Sequence, residues 1–315
     1  MRELKVLFVG VGSIARRHIR NLAALCQELA VTLQLDVLRS GQGRALPEDI
    51  AAVVQHTWHT LAEVPTGYDA VFITNPTSLH YATLAQVGDR AKFFFIEKPV
   101  FVTGEEDIAA LHLPAEVVCY VACPLRYTNV LRYVREHVDF HRVHAVRAMS
   151  SSYLPDWRPG QDYRECYSAH RDMGGGVAID LIHEWDYLCW LLGMPQAVKS
   201  FIRQKSQLEV DSDDLAIYIA EYPDKMVELH LDYFGRATQR TLELYAEDDT
   251  IVVDIERQKI TWLKAGRVLE LPQERDDYQR RELAHFFAIV DGRCECDNTL
   301  EKACQVLRIT RGMER

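Results

Sequence analysis

The run Leu4–Val9, apolar except at Lys5, stops at Gly10-Val11-Gly12-Ser13-Ile14-Ala15, and a helical pattern starts at once. A strand that turns through Gly-x-Gly-x-x-Ala directly into a helix has few uses. Gly10 permits the tight turn, and Gly12 removes the side chain that would block a pyrophosphate. Ala15 lets the helix pack close to the strand. The helix N-terminus then offers unpaired N–H groups, at Ser13 and Ile14, to phosphate oxygens. The context, strand before and helix after, gives the motif its meaning. It predicts a dinucleotide site on a parallel sheet.

The rest of the first third agrees. Ile14–Leu29 has helical spacing, Leu33–Leu38 reads as a second strand, and Ala70–Thr74, Lys92–Ile96 and Glu116–Val121 are short buried runs. Ser78 is placed to cap a helix running to Gly88. Alternating strands and helices imply a parallel sheet covered on both faces. Near Cys123-Pro124 the pattern changes. A helix is expected at Thr128–His137, a strand at Val143–Ser152 and a helix at Val177–Leu192. Strands follow at Ala197–Arg203, Leu215–Glu221, Val227–Phe234, Thr241–Ala246, Thr250–Ile255 and Lys259–Leu263. Strands at that density without helices between them imply a mostly antiparallel sheet. Two helices, Asp277–Val290 and Thr299–Arg311, close the chain. The fold expected is α/β: an N-terminal Rossmann domain over residues 1–122, then an α+β domain with an open, mostly antiparallel sheet over 123–315. The length of 315 residues suits about two domains.

Composition removes other classes. The formal net charge of −10 lacks the basic footprint that nucleic acid needs. No apolar stretch approaches the ~20 residues of a membrane span, and the N-terminus reads as a strand, not a signal peptide. A cytoplasmic protein is expected. Most of the eight cysteines lie singly in apolar stretches, where a thiol acts as a small hydrophobe. The pair Cys294/Cys296 lacks a matching second pair, so no metal site is expected.

The end of the second strand bears on the cofactor type. An acid there serves the ribose hydroxyls of NAD, whereas an arginine accepts the 2′-phosphate of NADP. Counting about 20 residues on from the glycines reaches Asp36, which favours NAD. The strand runs past Asp36 through Val37 and Leu38, and the residues then reached, Arg39 and Ser40, favour NADP.

Thr74-Asn75-Pro76-Thr77-Ser78-Leu79-His80 and Glu97-Lys98-Pro99 lie where parallel strands end, the edge at which open α/β sheets bind ligands. Asn75, His80, Glu97 and Lys98 are therefore cofactor-site candidates, and Lys98 is also a candidate to exchange a proton with a hydroxyl or carbonyl. Gly174-Gly175-Gly176 precedes Val177, Asp180, His183 and Asp186. Asp180 and His183 at helical spacing share a face, and a histidine beside a carboxylate can hold one tautomer and relay a proton. Asp186 is a second candidate to orient His183. The loop before the glycines holds Trp157, Tyr163 and Arg164, residue types that bind a sugar bearing a carboxylate or phosphate through stacking and charge-assisted hydrogen bonds. Arg126 is a further substrate candidate.

The ordered set Gly10-x-Gly12-x-x-Ala15, Asn75-Pro76, Glu97-Lys98-Pro99 and the Gly-Gly-Gly…Asp…His…Asp segment resembles the glucose–fructose oxidoreductase/inositol dehydrogenase (Gfo/Idh/MocA) family over nearly the whole chain. The resemblance implies hydride transfer between nicotinamide and a sugar, amino sugar or cyclitol. It implies substrate binding and proton transfer by Lys98 and by the Asp and His of the later segment. In many members that Asp and His are four apart; Asp180 and His183 are three apart, so His183 is the firmer assignment. Asp-Leu-Ile-His-Glu-Trp-Asp resembles a branch met in surface-polysaccharide pathways. Two other readings predict different behaviour. An NAD-retaining lyase or glycosidase on this scaffold would show no net NAD(P)H change. A nucleotide-binding sensor would bind cofactor without turnover. An open antiparallel sheet needs a cover, so a homodimer or homotetramer through the C-terminal sheet is expected.

Overall fold

Val6, Leu7 and Phe8 are fully buried, so β1 (Glu3–Val9) is covered on both faces, as a central strand of a parallel sheet must be. In this computed structural model, which describes residues 3–41 and 45–312, β1 is followed by α1 (Ser13–Glu28), β2 (Thr32–Leu38), α2 (Glu48–Ala51) and β3 (Val54–Trp58). Then come β4 (Tyr68–Ile73), α3 (His80–Val87), β5 (Ala91–Ile96) and β6 (Val118–Val121). The six strands run parallel in the order β3-β2-β1-β4-β5-β6. The order reverses between β1 and β4, so their carboxyl ends flank the crevice where such sheets bind ligands. The apolar stripe of α1, with Ala15, Ile19, Leu22, Leu25 and Cys26, is buried.

The later elements are α4 (Asn129–His137), β7 (Val143–Tyr153), α5 (Val177–Asp180), α6 (His183–Leu192), β8 (Ala197–Arg203), β9 (Leu215–Glu221) and β10 (Met226–Asp232). After them come β11 (Phe234–Ala246), β12 (Thr250–Asp254), β13 (Lys259–Trp262), β14 (Arg267–Glu270), α7 (Arg275–Val290) and α8 (Leu300–Thr310). Strands β7–β14 form one sheet in the order β14-β13-β12-β11-β7-β10-β9-β8. Every pair is antiparallel except β10 with β7.

The chain forms two compact units. The first takes the described residues up to Ala122 together with Arg275–Cys304; the second takes Cys123–Glu274 and the described residues from Gln305 on. α7 returns to the first unit, with the first sheet. Its apolar side explains the return: Phe286 stacks edge-on against Phe72 at 5.6 Å and Phe95 at 5.4 Å.

Two strands were not expected, and two local expectations differ. The strand β3, Val-Gln-His-Thr-Trp, is an edge strand with half-exposed, polar content, which gives no apolar periodicity to read. β14 is likewise short and exposed. Ser78 caps nothing: a 3₁₀ turn at Thr77–Leu79 precedes α3, whose first residue is His80. The helix expected at Val177–Leu192 is two pieces, because Leu181 leaves helical geometry at φ −99°, ψ 29°. Among the described residues no helix is long and apolar enough to cross a membrane.

Candidate functional site

The two glycines of the first turn differ in what they answer to. Gly10 has φ +86°, and a Cβ there would lie 2.7 Å from the Asn75 Cα. The fold itself demands glycine at that position. Gly12 has φ −75° and ψ −169°, open to any residue, and nothing lies within 4 Å of a Cβ built on it. The protein's own packing does not require its bare backbone. The space beside it is the opening above the first turn of α1. That turn has no side-chain cap and no acidic residue, so its N–H groups retain the partial positive charge that attracts anions. Ser13 is exposed and Ile14 half-buried, while Ala15 is fully buried against the sheet; Ala15 serves packing rather than contact with a ligand. Thr74 ties the crevice together, its hydroxyl donating to the carbonyls of Val9 (3.1 Å) and Gly10 (2.9 Å). Asn75 donates through Nδ2 to Thr83 Oγ1 at 2.7 Å. Its Oδ1 is buried with no hydrogen-bond partner among the described residues. An open anion-binding turn beside an unsatisfied amide oxygen fits a dinucleotide.

At the end of β2, Asp36 is 4% exposed. It accepts from Tyr68 Oη at 2.6 Å and Trp58 Nε1 at 3.3 Å, and His56 Nδ1 lies 3.0 Å away. The carboxylate is committed inside the protein. Burial, and then the Asp36 carboxylate, push the Tyr68 phenol above its usual range. Arg39 and Ser40 follow at the carboxyl end of the strand, Arg39 half-buried and Ser40 exposed. The Arg39 backbone N–H donates to the Trp58 carbonyl at 3.0 Å, which fixes where the side chain leaves the sheet.

Two of the residues expected to meet the cofactor, His80 and Glu97, make internal contacts. His80 is 1% exposed; its Nδ1 sits 3.1 Å from the carbonyls of both Pro99 and Val100, and its Nε2 is 2.9 Å from the Asn75 carbonyl. It staples the loop after β4 to the loop after β5. Glu97 is 9% exposed, and its Oε1 lies 2.5 Å from His18 Nε2. Lys98, half-buried, is presented from the turn these two residues hold.

In the second unit, Asp180 is 7% exposed and accepts from Tyr233 Oη at 2.6 Å. Tyr167 bonds the same carboxylate, and burial and then Asp180 push both phenols upward. Asp180 and His183 stand on separate helices, so the shared-face argument fails where Leu181 breaks the turn. His183 opens α6 and is half-buried. Asp186, the second acid expected near His183, is paired with Arg126. Both its oxygens accept from Arg126, Oδ2 from Nε at 2.8 Å and Oδ1 from Nη2 at 2.6 Å. Arg126, 5% exposed, is held in this buried ion pair.

The loop is also more internally paired than its composition suggests. Arg164 is exposed and bonds Asp162 and Glu209. Tyr163 Oη accepts the Glu209 N–H at 3.1 Å. Trp157 donates through Nε1 to Ser152 Oγ at 2.9 Å and meets Tyr233 edge-on at 5.2 Å, which places it beside the Asp180 cluster. His170, Asp172 and Asp211 lie close enough to share an ion, but the two acids are exposed. Sequence reasoning missed His18, Tyr233 and Asp213. The last two reach the Asp180 region from distant segments, and His18 reads as one more residue on a helix.

Comparison with known proteins adds the following. Residues 4–122 match the profile of an oxidoreductase family with an NAD-binding Rossmann fold. Residues 131–252 match the GFO/IDH/MocA C-terminal domain. An uncharacterized oxidoreductase of Synechocystis sp. is 27% identical over 71% of this chain and 57% of its own length. An inositol 2-dehydrogenase/D-chiro-inositol 3-dehydrogenase of Lacticaseibacillus casei is 27% identical over 60% of this chain and 53% of its own. The chain thus spans a little over half the length of these curated relatives. A solved levoglucosan dehydrogenase in complex with NADH superposes with a TM-score of 0.82 at 18% identity, over 99% of this chain and 96% of that one; at that identity the likeness is one of fold.

Proposed function

The chain belongs to the Gfo/Idh/MocA oxidoreductase family, and from that premise we propose that it transfers hydride between a nicotinamide dinucleotide and a secondary alcohol or ketone of a sugar, amino sugar or cyclitol. The observation that carries the reading is the contrast between the two glycines. Gly10 is required by Asn75 and a left-handed φ; Gly12 is required by nothing in the protein and opens onto an uncapped helix N-terminus. The dinucleotide, when bound, supplies the hydride chemistry. In this reading Gly12, Ser13 and Ile14 hold the pyrophosphate, and Lys98 and His183 move the hydroxyl proton. Asp180, kept by Tyr233 and Tyr167, orients the substrate. The related inositol dehydrogenase and the solved levoglucosan dehydrogenase act, by name, on molecules of this class.

For the cofactor we favour NADP, although the levoglucosan dehydrogenase structure holds NADH. Asp36 already accepts from Tyr68 and Trp58 within the protein, which leaves Arg39 and Ser40 as the residues that meet the ribose. For assembly we favour a homodimer or homotetramer through the second unit's sheet. By strand register Phe201, Ile217, Ile219 and Met226 share one face, with Phe201 68% and Met226 46% exposed, and a second copy of that face would cover it. A surface-polysaccharide role is consistent with an amino-sugar substrate.

The test is turnover with myo-inositol, levoglucosan and nucleotide-linked amino sugars, followed by nicotinamide absorbance. Lys98→Met and His183→Ala should each bind dinucleotide normally and lose ~10²–10⁴-fold in kcat, the usual range for a positioned acid or base; Asp180→Asn should lose less. Full turnover in either of the first two variants would overturn the assignment.

A further inference from the structure

We propose that His18 is a positioning residue for Lys98: from the helix that begins at the dinucleotide loop, it fixes Glu97, and through Glu97 the turn that presents Lys98. The inference rests on the reading of Lys98 given above.

Glu97 follows β5 directly, next to the buried side chains of Phe95 and Ile96. A carboxylate in such surroundings is unfavourable unless it is paired and hydrogen-bonded. His18 supplies the pairing. It is 1% exposed, with its ring edge-on to Phe95 at 5.1 Å and tilted against Phe72 at 6.2 Å. Its Nε2 lies 2.5 Å from Glu97 Oε1. Its Nδ1 is buried with no hydrogen-bond partner among the described residues. A leucine would fill that apolar site without leaving a ring nitrogen unsatisfied, so packing does not account for a histidine there; the bond to Glu97 does.

The other oxygen of Glu97 continues the path. Oε2 accepts the Lys98 backbone N–H at 3.2 Å. A connected route therefore runs from α1, through His18 and Glu97, to the backbone of Lys98. On the far side His80 holds Pro99 and Val100, so the turn is gripped from both flanking helices. The groups that face Glu97 are His18, Lys98 and His80. Burial pushes the Glu97 carboxyl up, but the His18 bond and the charges of His18, Lys98 and His80 outweigh it and leave the carboxyl below its usual range. Without His18 the push from burial loses its largest opposing contribution.

The experiment compares His18→Leu, His18→Gln and Glu97→Gln, alone and combined, with levoglucosan and myo-inositol as probes. His18→Leu should lose ~10–100-fold in kcat, within the range of a displaced acid or base, with dinucleotide Kd unchanged to about threefold. His18→Gln, which keeps an amide donor near the place of Nε2, should restore most of that loss. In the Glu97→Gln background His18→Leu should cost little more, since residues acting in one path are non-additive. A readout independent of turnover is the carbon-13 carboxyl titration of Glu97 in the cofactor-free protein, which should move upward in His18→Leu. Should His18→Leu not fold, His18→Asn, whose donor falls short of Glu97, reads the same way. Additive losses, a Kd that weakens as much as kcat falls, or an unmoved Glu97 titration would overturn the proposal. Lys98→Met measured alongside separates the failures. If it keeps turnover, the role of Lys98 falls; if it is inactive while His18→Leu is normal, only the path through His18 falls.

Discussion

Replacing Gly12 separates what the fold needs from what a ligand needs. Its backbone, φ −75° and ψ −169°, suits any residue, and a Cβ there meets nothing within 4 Å. Adding one methyl stiffens the unfolded chain and contributes ~0.4–1 kcal/mol of stability. Losing glycine at an N-cap costs a comparable ~0.5–1 kcal/mol. The two nearly cancel, so Gly12→Ala and Gly12→Val should melt within about 4 °C of the wild type when free of ligand. With dinucleotide at ~100 times Kd the wild type gains ~2.7 kcal/mol, a shift of roughly 5–10 °C. Gly12→Val should show none of that shift, because its side chain occupies the pyrophosphate space. Gly10→Ala supplies the contrast. A left-handed φ costs a residue with a side chain ~1–2 kcal/mol, and its Cβ would also sit 2.7 Å from Asn75 Cα, so it should melt low even without ligand. Differential scanning fluorimetry of the wild type and the three variants, with and without NAD and NADP, reads all of this. The reasoning is refuted if Gly12→Val keeps the ligand-induced shift, or if its unliganded form collapses as Gly10→Ala does.

Two further outcomes follow from the same surfaces. Arg39→Ala should weaken NADP about tenfold or more, for a charge-assisted bond worth ~1.5–3 kcal/mol, and leave NAD almost unchanged. Asp36→Asn should lower melting temperature without altering the NAD/NADP ratio, because its carboxylate serves Tyr68 and Trp58; a switched ratio would return Asp36 to the ribose. Phe201→Lys, on the outer face of β8, should shift light-scattering mass toward monomer, and an unchanged mass would place the interface elsewhere.

The first unit was legible because its signals are local. Parallel strands buried on both faces are continuous apolar runs, and the Gly-x-Gly-x-x-Ala turn is six adjacent residues. β8 and β9 came out to the residue, since each alternates strictly between a covered and an open face. What failed to read were long-range commitments. His80, Glu97 and Arg126 look like free polar groups at a sheet edge or helix start. Their partners, Pro99 and Val100, His18, and Asp186, are set by topology and not by spacing. The return of α7 to the first sheet is of the same kind: nothing within Arg275–Val290 says which of two cores its phenylalanines will join.

The second glycine-rich turn shows how much the occupant of a helix N-terminus depends on distant residues. Gly174-Gly175-Gly176 before α5 resembles the turn before α1 in sequence, and both would be read as openings for an anion. Yet a Cβ on Gly175 would lie 2.1 Å from the Tyr167 carbonyl, and one on Gly176 would lie 2.4 Å from Asp213 Oδ1. These glycines are demanded by the protein, as Gly10 is and Gly12 is not. The N–H groups that open α5 are already spoken for: Val177 donates to the Asp213 carbonyl at 2.9 Å and Ala178 to Asp213 Oδ2 at 3.0 Å. Asp213 is the anion of that helix. Burial raises its carboxyl, with the Ala178 N–H opposing and Asp180 adding to the push. A phosphate at α5 would have to displace a carboxylate fixed from the chain itself, whereas one at α1 displaces only solvent. Similar glycine-rich turns therefore leave an open helix N-terminus in the first unit and a closed, acid-filled support for Asp180 in the second.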